Sequence, residues 1–347
     1  MYRVLQLGAE QRSGTVLELD IAVIIVTYRS AQLTIDSLSS IQAERLATGM
    51  RIRAIVVDNA SGDLPAISHA VEAHDWSLWV TCVLAPKNGG FAYGNNFGIL
   101  RAYDSGRPAY VHLLNPDAQV RPGAIRSLVE FLESHLDVGI AGSSFENLDG
   151  SDWPIAFRFP SLLSELNSRL EIGVVTSLLR RWVVAQHMTR RPQPVDWVCG
   201  ASMMIRPEVF DAIGGFDEHY FLYFEETDFC FRAKQAGYPT WYAPQSRVMH
   251  IAGQSTKVDE RNAGPRRMPA YWFESRRRYF AMTFGTSRAV AIDIVAISAH
   301  AIGLLKRVAL LRMRSAIPHF LRDLVHYSIL WPQNRRFPEV QSMLPRG

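Results

Sequence analysis

Several carboxylates and one histidine stand where they could do acid–base or metal chemistry. Asp117 directly follows a short apolar run and a proline. Glu225, Glu226 and Asp228 fall within four residues, after an aromatic run, and His250 ends a later apolar segment. A carboxylate can act as a general base, and carboxylate oxygens together with an imidazole can bind a divalent metal ion. These residues are therefore the candidates for the chemistry of this chain.

Each of these groups also has a purely structural interpretation. A carboxylate after a strand often caps a turn or a helix, and three carboxylates together can mark the first turn of a helix, where the macrodipole favours negative charge. A single histidine is often a satisfied structural residue. The elements around these residues must decide between the interpretations.

Short apolar runs in the first part of the chain predict the buried strands of a parallel sheet. They are residues 21–28, 52–57, 78–85 and 110–114. Segments with helical spacing, 30–41 and 93–103, lie between them, and strands that alternate with helices are typical of βαβ units. In such a sheet, ligands bind at the carboxyl ends of the strands. Polar clusters stand there, at Thr27-Tyr28, Asp58-Asn59, Asn88-Gly89-Gly90 and Asn115-Asp117.

The second half of the chain has a less regular pattern. Residues 146–195 predict loops around one or two short helices. A second apolar block begins at Val195 and leads through Pro207 into a helix, and a strand-like segment runs from Thr240 to His250. The pattern as a whole predicts an α/β fold, with a mostly parallel central sheet flanked by helices.

The composition indicates a globular protein with a basic C-terminal tail. The 347 residues are 48% hydrophobic and 20% charged, which excludes a disordered or collagen-like chain. Three cysteines without a CxxC pair favour a reducing, cytoplasmic compartment. The net charge is +4, yet the part from Arg276 onward carries +9. Such a tail predicts a polyanionic partner, and its few aromatic residues do not form a nucleic-acid stacking platform. A membrane surface is the remaining candidate.

A 17-residue apolar run at 289–305 predicts a helix in this tail. Asp293 and His300 interrupt the run, whereas a spanning helix needs about 20 residues and tolerates charge poorly. A helix packed on the protein and an interfacial helix lying on anionic lipid both fit the pattern better than a span.

Six sequence blocks follow one another in a characteristic order. They are VIIVTYRS (23–30), IVVDNASGD (55–63), KNGGFAYGNNFGI (87–99), LLNPDAQV (113–120), the long block that starts DWVCGASMM (196–238) and VMHIAGQST (248–256). Through these blocks the chain resembles the inverting glycosyltransferases of family 2, which have the GT-A fold, and most of all their bacterial rhamnosyltransferase-type branch.

The resemblance implies a domain organisation. Residues 20–285 would form a Rossmann-like GT-A domain, with a nucleotide half over 20–120 and an acceptor half over 121–285. Residues 1–19 would be an N-terminal extension. Residues 286–347 would be a basic, apolar helical appendage associated with a membrane.

The resemblance places the donor site in the loops after the first four strands. The residues expected to bind the nucleotide sugar are Thr27, Tyr28, Arg29, Asp58, Asn88, Gly89, Gly90, Asn96, Asn115 and Asp117. Asp58 would accept a hydrogen bond from the pyrimidine N3–H. The glycine pair would let the backbone approach the nucleotide, because glycine has no Cβ; an ordinary turn is the alternative. Asn96 would orient the ribose or cap the helix.

Asp117 occupies the last position of the family's DxD-like motif, which reads Asn115-Pro116-Asp117 in this chain. With the first carboxylate replaced, Asp117 and two diphosphate oxygens can still hold Mg²⁺. His250 matches the family's downstream metal-binding histidine, and imidazole suits Mn²⁺ better than Mg²⁺. The expected cofactor is therefore Mg²⁺ or Mn²⁺, held by Asp117 and His250.

Glu226 stands where the family has its catalytic Asp, and we expect it to be the base that deprotonates the acceptor hydroxyl. Glu225 is the alternative base. Like-charge repulsion from Glu225 and Asp228 would raise the pKa of Glu226, and Asp228 would alternatively bind the acceptor sugar.

The acceptor side is expected to contain three residues, Trp197, Gly200 and Tyr223. Trp197 would stack on a sugar face or pack in the core. The implied reaction moves a sugar, L-rhamnose by resemblance, from a dTDP- or UDP-linked donor. The acceptor would be a growing cell-surface glycan or a lipid-linked sugar, and the enzyme a peripheral protein at the cytoplasmic face of the inner membrane.

Alternative functions also fit parts of the sequence. One is a glycosyltransferase that uses a UDP-hexose donor, and another is a non-catalytic scaffold of polysaccharide assembly, since Asn115 and Glu226 depart from the family pattern. A nucleotidyltransferase would need a basic phosphate loop such as GxGxR near residue 30, where Arg29 stands alone.

Overall fold

The first strand is buried along nearly its whole length because its alternating side chains enter two different cores. In β1 (Asp20–Thr27), Ile21 and Ile25 belong to one core, and Ala22 and Ile24 belong to the other. This is why the sequence shows a continuous apolar run rather than an alternating one. The computed structural model describes residues 18–153, 155–170, 172–250, 266–310 and 317–344. Most of the predicted N-terminal extension lies outside these ranges.

The strands that follow β1 are numbered in chain order. They are β2 (Arg51–Asp58), β3 (Val80–Leu84), β4 (Tyr110–Leu114), β5 (Ala118–Val120), β6 (Ile140–Glu146), β7 (Asp152–Trp153), β8 (Ile155–Phe157), β9 (Ala185–His187), β10 (Gln193–Val195), β11 (Ser202–Ile205) and β12 (Thr240–His250). All four runs predicted as parallel strands form, and they pair in the order β3-β2-β1-β4.

The helices are also numbered in chain order. They are α1 (Ala31–Thr48), α2 (Leu64–Ala73), α3 (Gly90–Asp104), α4 (Ala124–Ser134), α5 (Leu162–Leu170), α6 (Gly173–Leu178), α7 (Pro207–Ile213), α8 (Glu225–Gln235), α9 (Ala270–Phe284), α10 (Thr286–Ala309) and α11 (Phe320–His326). Short 3-10 helices lie at Arg180–Trp182 and Pro332–Arg335.

Strands of mixed direction continue the sheet beyond β4. β11 lies antiparallel between β4 and β6, and β6 pairs in parallel with β12. β5 and β10 pair antiparallel with β12, β7 pairs with β6, and β8 and β9 form a separate hairpin. The predicted α/β sheet is confirmed, and its first four strands are parallel as expected.

Helices cover both faces of the sheet and so make a three-layer core. α1, α2 and α4 contribute to the core on one face. α3, α7 and α8 contribute to the core on the other face. Glycines bring α3 especially close to β1, since a β-carbon at Gly94 would meet Val26 and one at Gly98 would meet Ile24.

The C-terminal helices form a third group that is held by buried charges. Arg276 on α9 is 2% exposed and donates to Glu165 on α5 at 2.8 and 3.0 Å and to Asp293 on α10 at 2.6 Å. Asp293 also accepts hydrogen bonds from Ser328, and the backbone N–H of Ile329 donates to it. The aspartate that interrupts the apolar run therefore pairs inside the protein.

Among the described residues, α10 is the one helix that is long and apolar enough to cross a membrane, by length and composition. Its buried residues recur at helical spacing and pack on α5, α9 and α11, and one third of its most apolar 18-residue stretch is buried. One face of the predicted helix is therefore held on the protein, while Ile294, Ile302, Leu305 and Val308 are exposed.

The chain's last described segment returns to the core on the α3 side of the sheet. Leu344 is 4% exposed within the core that α3 and α8 share. The backbone N–H of Met343 donates to Glu218, and the carbonyl of Gln341 accepts from the N–H of Glu218. The C-terminal region is thus packed against the body of the protein.

Candidate active site

The loop after β1 is held by a carboxylate from the loop after β2. Asp63 accepts hydrogen bonds from the Thr27 hydroxyl at 2.7 Å and from the Ser30 backbone N–H at 2.8 Å. Arg29 has a left-handed φ of 55° and is exposed, with its guanidinium 5.2 Å from the ring centre of Tyr28. Thr27 thus supports the loop from within, and Tyr28 and Arg29 form its accessible edge.

Asp58 lies opposite Thr27 at the end of β2 and is fully buried. Its carboxylate accepts four hydrogen bonds, two from Ser61 at 2.7 Å and one each from the N–H groups of Gly62 and Leu64. Burial alone would raise the pKa of Asp58, but the hydrogen bonds from Ser61, Leu64 and Gly62 hold it below the ordinary value. The carboxylate oxygens of Asp58 are therefore bonded to its own loop, and the predicted hydrogen bond from the pyrimidine N3–H stays a prediction.

The loop after β3 is anchored on Asn59 and on the turn before α8. The Asn59 amide donates to Asn88 Oδ1 at 3.0 Å and to the Gly90 carbonyl at 3.1 Å. Gly90 has φ +83°, and a β-carbon there would collide with the carbonyl of Phe221. Gly90 is therefore required for contact with the 221–224 turn, which is a different reason from the predicted approach to a nucleotide. A β-carbon at Gly89 would meet Tyr93.

Asp117 and His250 come together because β5 and β12 pair with His250 opposite Ala118. The His250 Nε2 atom lies 3.3 Å from Asp117 Oδ1, and both side chains are almost entirely buried. The predicted pair of metal ligands is therefore adjacent in space, although the two residues are far apart in sequence.

A strained turn presents the acidic residues of α8. Tyr223 and Phe224 both adopt left-handed φ angles, 72° and 68°, which cost energy for residues with a side chain. The Tyr223 ring stacks on Tyr271 at 6.1 Å. Glu225 and Glu226 follow as the first two residues of α8.

Burial raises the pKa of both glutamates at the start of α8. The pKa of Glu225 lies well above its ordinary range because the side chain is 2% exposed, and the charge of Glu226 raises it further. Burial also raises the pKa of Glu226, and a hydrogen bond from the backbone N–H of Gly200 opposes this shift. The predicted direction for Glu226 is right, but desolvation causes it rather than repulsion from Asp228.

The segment 199–201 joins the base side of the site to the metal side. Gly200 bonds to Glu226, and the carbonyl of Ala201 accepts from the Asn115 N–H at 3.0 Å. Burial raises the pKa of the Cys199 thiol to about 12, and the negative charges of Glu226, Asp117 and Glu225 contribute to this shift. Carboxylates from both sides of the site therefore surround this short segment.

Two predicted site residues have structural roles instead. Asn96 is fully buried and its amide binds the backbone N–H and carbonyl of Phe216 and the carboxylate of Glu218. Asp228 pairs with Arg232 at 2.7 Å, and Arg232 donates in turn to the carbonyls of the 213–215 turn. Their polar atoms are used by the protein, so neither is kept as a ligand contact.

Trp197 and Gly200, which were predicted on the acceptor side, and the basic residue Arg278 all have contacts within the protein. Trp197 stacks on Phe157 at 4.1 Å, and its indole N–H donates to the Arg158 carbonyl. A β-carbon at Gly200 would meet the ring of Phe91. Arg278, next to Arg276, donates to the buried Asp217 at 2.7 Å. Trp197 therefore packs on Phe157 and against the core that α3, α7 and α8 share, and its contact with a sugar stays a prediction.

Sequence reasoning missed two residues that shape the site, Asn59 and Asp63. Both belong to the polar stretch DNASGD after β2, so the signal was present as a cluster. Only the folded structure shows that Asp63 reaches back to Thr27 and that Asn59 reaches forward to Asn88.

Buried atoms without partners test whether the site suits a metal ion. Asp117 Oδ1 is buried and makes no hydrogen bond, with His250 Nε2 3.3 Å away as its ion-pair contact, and His250 Nδ1 is also buried and makes no hydrogen bond. Within the described ranges, no group of three or more His, Cys, Asp or Glu side chains converges on one point. The protein therefore offers two ligands, one oxygen and one nitrogen, which fit a divalent ion whose other positions are taken by diphosphate and water.

Solved structures share the fold. A mannosyltransferase, PcManGT from Pyrobaculum calidifontis, solved with GDP-Man and Mn²⁺, aligns with a TM-score of 0.54 at 16% identity, over 90% of this chain and 88% of that chain. The structure described here therefore has the GT-A fold.

The family follows from the sequence match. The family described as "Glycosyltransferase like family 2" matches residues 19–264, and the chain belongs to this family. An N-acetylglucosaminyl-diphospho-decaprenol L-rhamnosyltransferase of Mycobacterium tuberculosis is 29% identical over 68% of this chain and 78% of its own length. Rhamnosyltransferase WbbL of Escherichia coli is 26% identical over 47% of this chain and 61% of its own length. The protein is a glycosyltransferase enzyme.

Proposed function

We propose that this enzyme transfers L-rhamnose from dTDP-rhamnose to a lipid-linked glycan acceptor, with inversion at the anomeric carbon. Two relatives are named as rhamnosyltransferases, and one of them is named for an acceptor on decaprenyl diphosphate. The observation that carries the mechanism is Glu226, a partly exposed carboxylate with a raised pKa and one unpaired oxygen, Oε2.

Glu226 would act as the general base. The acceptor hydroxyl oxygen attacks the anomeric carbon, the bond from that carbon to the diphosphate oxygen breaks, and the hydroxyl proton passes to Glu226. The bonding electron pair leaves with the diphosphate. A raised pKa makes the carboxylate a better proton acceptor near neutral pH. Glu225 is 2% exposed, so it is less accessible to an acceptor and is kept as the alternative.

Asp117 and His250 would hold a divalent ion, Mn²⁺ or Mg²⁺, together with the donor diphosphate. When bound, the ion stabilises the negative charge that develops on the leaving group. The donor pocket around the ion would be lined by Tyr28, Arg29, Asn88 and Asn115. Asp58 would contact the nucleobase only if it lost some of the hydrogen bonds that it accepts from its own loop.

The acceptor would approach from the side of Gly200, Tyr223 and Trp197. An acceptor anchored in lipid requires the enzyme to work at a membrane, which supports a peripheral location at the cytoplasmic face. A UDP-hexose donor is the second candidate, because nothing in the loops after β1 and β2 selects thymine over uracil.

The decisive experiment compares Glu226→Gln with the wild type in transfer and in nucleotide binding. We expect at least a 100-fold loss of transfer from dTDP-rhamnose, the lower range of general base catalysis, with the affinity for dTDP and Mn²⁺ nearly unchanged. Glu130→Gln is the matched control, since Glu130 is exposed on α4, away from the site. Turnover within about tenfold of the wild type would show that Glu226 is not the base.

Calorimetric titration with dTDP, UDP and GDP, each with and without Mn²⁺, identifies the donor. Metal-dependent binding of dTDP is expected. Preference for UDP would support the hexose alternative, and no binding to any nucleotide by the folded protein would favour the scaffold alternative.

A further inference from the structure

The segment that follows α5 is apolar and basic, yet it buries almost nothing. None of the six residues of α6 (Gly173–Leu178) is buried, although four of them are apolar or glycine, and the 3-10 helix Arg180–Trp182 buries none of its residues either. Most helices of a folded domain bury an apolar stripe. This segment instead leaves its apolar side chains in solvent.

The exposed apolar side chains of this segment have a regular spacing. Val174, Leu178 and Trp182 are four residues apart and are 72%, 74% and 38% exposed. Residues four apart lie on the same side of a helix. Val174 and Leu178 therefore lie on one side of α6, and Trp182 follows in the next 3-10 helix; these three exposed side chains are called here the docking face.

Charge complementarity selects the surface that would cover the docking face. Residues 172–195 contain four arginines and neither aspartate nor glutamate. Arg180 and Arg181 lie within the segment and are exposed. Aliphatic residues, a tryptophan and adjacent arginines are the combination that enters the interface of an anionic bilayer, with the tryptophan at the level of the headgroups.

Contacts link the docking face to the acceptor side of the active site. The N–H of Arg158 donates to the Val184 carbonyl at 2.8 Å, and the Phe157 ring before it stacks on Trp197. Trp197 stands three residues before Gly200, which bonds to Glu226. A membrane seated on this segment would therefore lie near the side from which the acceptor approaches.

α10 lies beside this segment. A β-carbon at Gly303 of α10 would meet the carbonyl of Arg169 at the end of α5, four residues before α6 begins. α10 therefore packs on the helix that leads into the docking face.

We propose that residues 173–182 form a membrane-docking element that inserts Val174, Leu178 and Trp182 into the interface of an anionic lipid bilayer, while Arg180 and Arg181 contact the lipid phosphates. The proposal rests on the proposed function for the lipid-linked acceptor, but its test requires no donor and no turnover.

The test is sedimentation of the full-length protein with vesicles of phosphatidylcholine containing phosphatidylglycerol, and with vesicles of phosphatidylcholine alone. The wild type is expected to bind the anionic vesicles, and added salt should weaken that binding because ions screen the arginines. Leu178→Glu should weaken it at least tenfold, since it replaces a leucine side chain that would leave water with a charged one that would not. Replacing Arg180 or Arg181 by Ala should weaken it by about fivefold each.

Leu136→Glu is the matched control, because Leu136 is 77% exposed in the turn after α4 and so carries the same change at equal exposure. Circular dichroism and urea unfolding of both variants establish that they are folded. Equal vesicle binding by Leu178→Glu and Leu136→Glu would overturn the proposal. The proposal would also be overturned if the wild type bound no vesicles but self-associated, and if Leu178→Glu abolished that self-association. The docking face would then be a protein interface. Vesicle binding lost only in Leu178→Glu would support it even if the transfer assay failed.

Discussion

Removing the charge of Glu225 should make the protein more stable at neutral pH. Glu225 is 2% exposed, its Oε2 has no partner, and its pKa is raised well above the ordinary value of 4.5 by burial and then by the charge of Glu226. A buried polar group left unpaired costs about 1–3 kcal/mol, and more when it is charged. At the N-terminus of α8 the helix macrodipole stabilises the negative charge by only about 0.3–1 kcal/mol. The cost of burying the charged carboxylate is therefore larger than the stabilisation by the macrodipole.

The stabilisation by Glu225→Gln should depend on pH, because it follows from the raised pKa of Glu225. A carboxyl group whose pKa is raised in the folded state contributes stability that is present below its unfolded pKa and is lost as the pH rises through its folded pKa. Glu225→Gln should thus raise the free energy of unfolding at neutral pH by about 1–3 kcal/mol. Well below pH 4.5, the ordinary glutamate value, Glu225 is protonated in both the folded and the unfolded wild type, and the two proteins should be equally stable.

The assay is urea unfolding followed by circular dichroism, at neutral pH and at a pH below the ordinary glutamate pKa. Glu130→Gln serves as the control, because its carboxylate is exposed and its substitution should change nothing at either pH. The reasoning fails if Glu225→Gln destabilises the protein at neutral pH, or if its effect is equal at both pH values.

Two further predictions concern the buried ion network and the metal ligands. Arg276→Met should destabilise the protein by about 3–5 kcal/mol in urea unfolding, because Asp293 would stay buried without a cation and Glu165 would keep only Arg169. Arg288→Met, at an exposed position of α10, should have little effect, and similar losses in both would contradict the role of the network. Asp117→Ala should abolish the increase in dTDP affinity that Mn²⁺ produces in calorimetry. The control Asp137→Ala, in an exposed turn, should keep that increase. If Mn²⁺ increased the dTDP affinity of Asp117→Ala as much as that of the wild type, Asp117 would be ruled out as a metal ligand.

Some of the site was predictable because it depends on where strands end. The apolar runs at β1, β2 and β4 fixed the positions of Thr27, Asp58 and Asp117, since polar residues follow buried strands directly. The six sequence blocks then supplied the family, which the match over residues 19–264 shows. The roles of Asn96 and Asp228 could not be predicted in this way. Asn96 belongs to the same sequence block as Asn88, and Asp228 follows Glu226 by two residues. In the fold, however, Phe216 binds the amide of Asn96 and Arg232 binds the carboxylate of Asp228.

By itself the sequence determined the βαβ order, the buried strands and the list of acidic groups, because these depend on residues that are neighbours along the chain. Tertiary structure alone decided which of these groups meet. Asp117 reaches His250 through the register of β5 and β12, and Gly200 reaches Glu226 across a loop. It also decided that Arg276 and Asp293 neutralise each other inside the protein, while the apolar residues after α5 stay outside. Burial and pairing between distant segments leave no local pattern in the sequence, so only the folded chain distinguishes a buried ion pair from a basic surface.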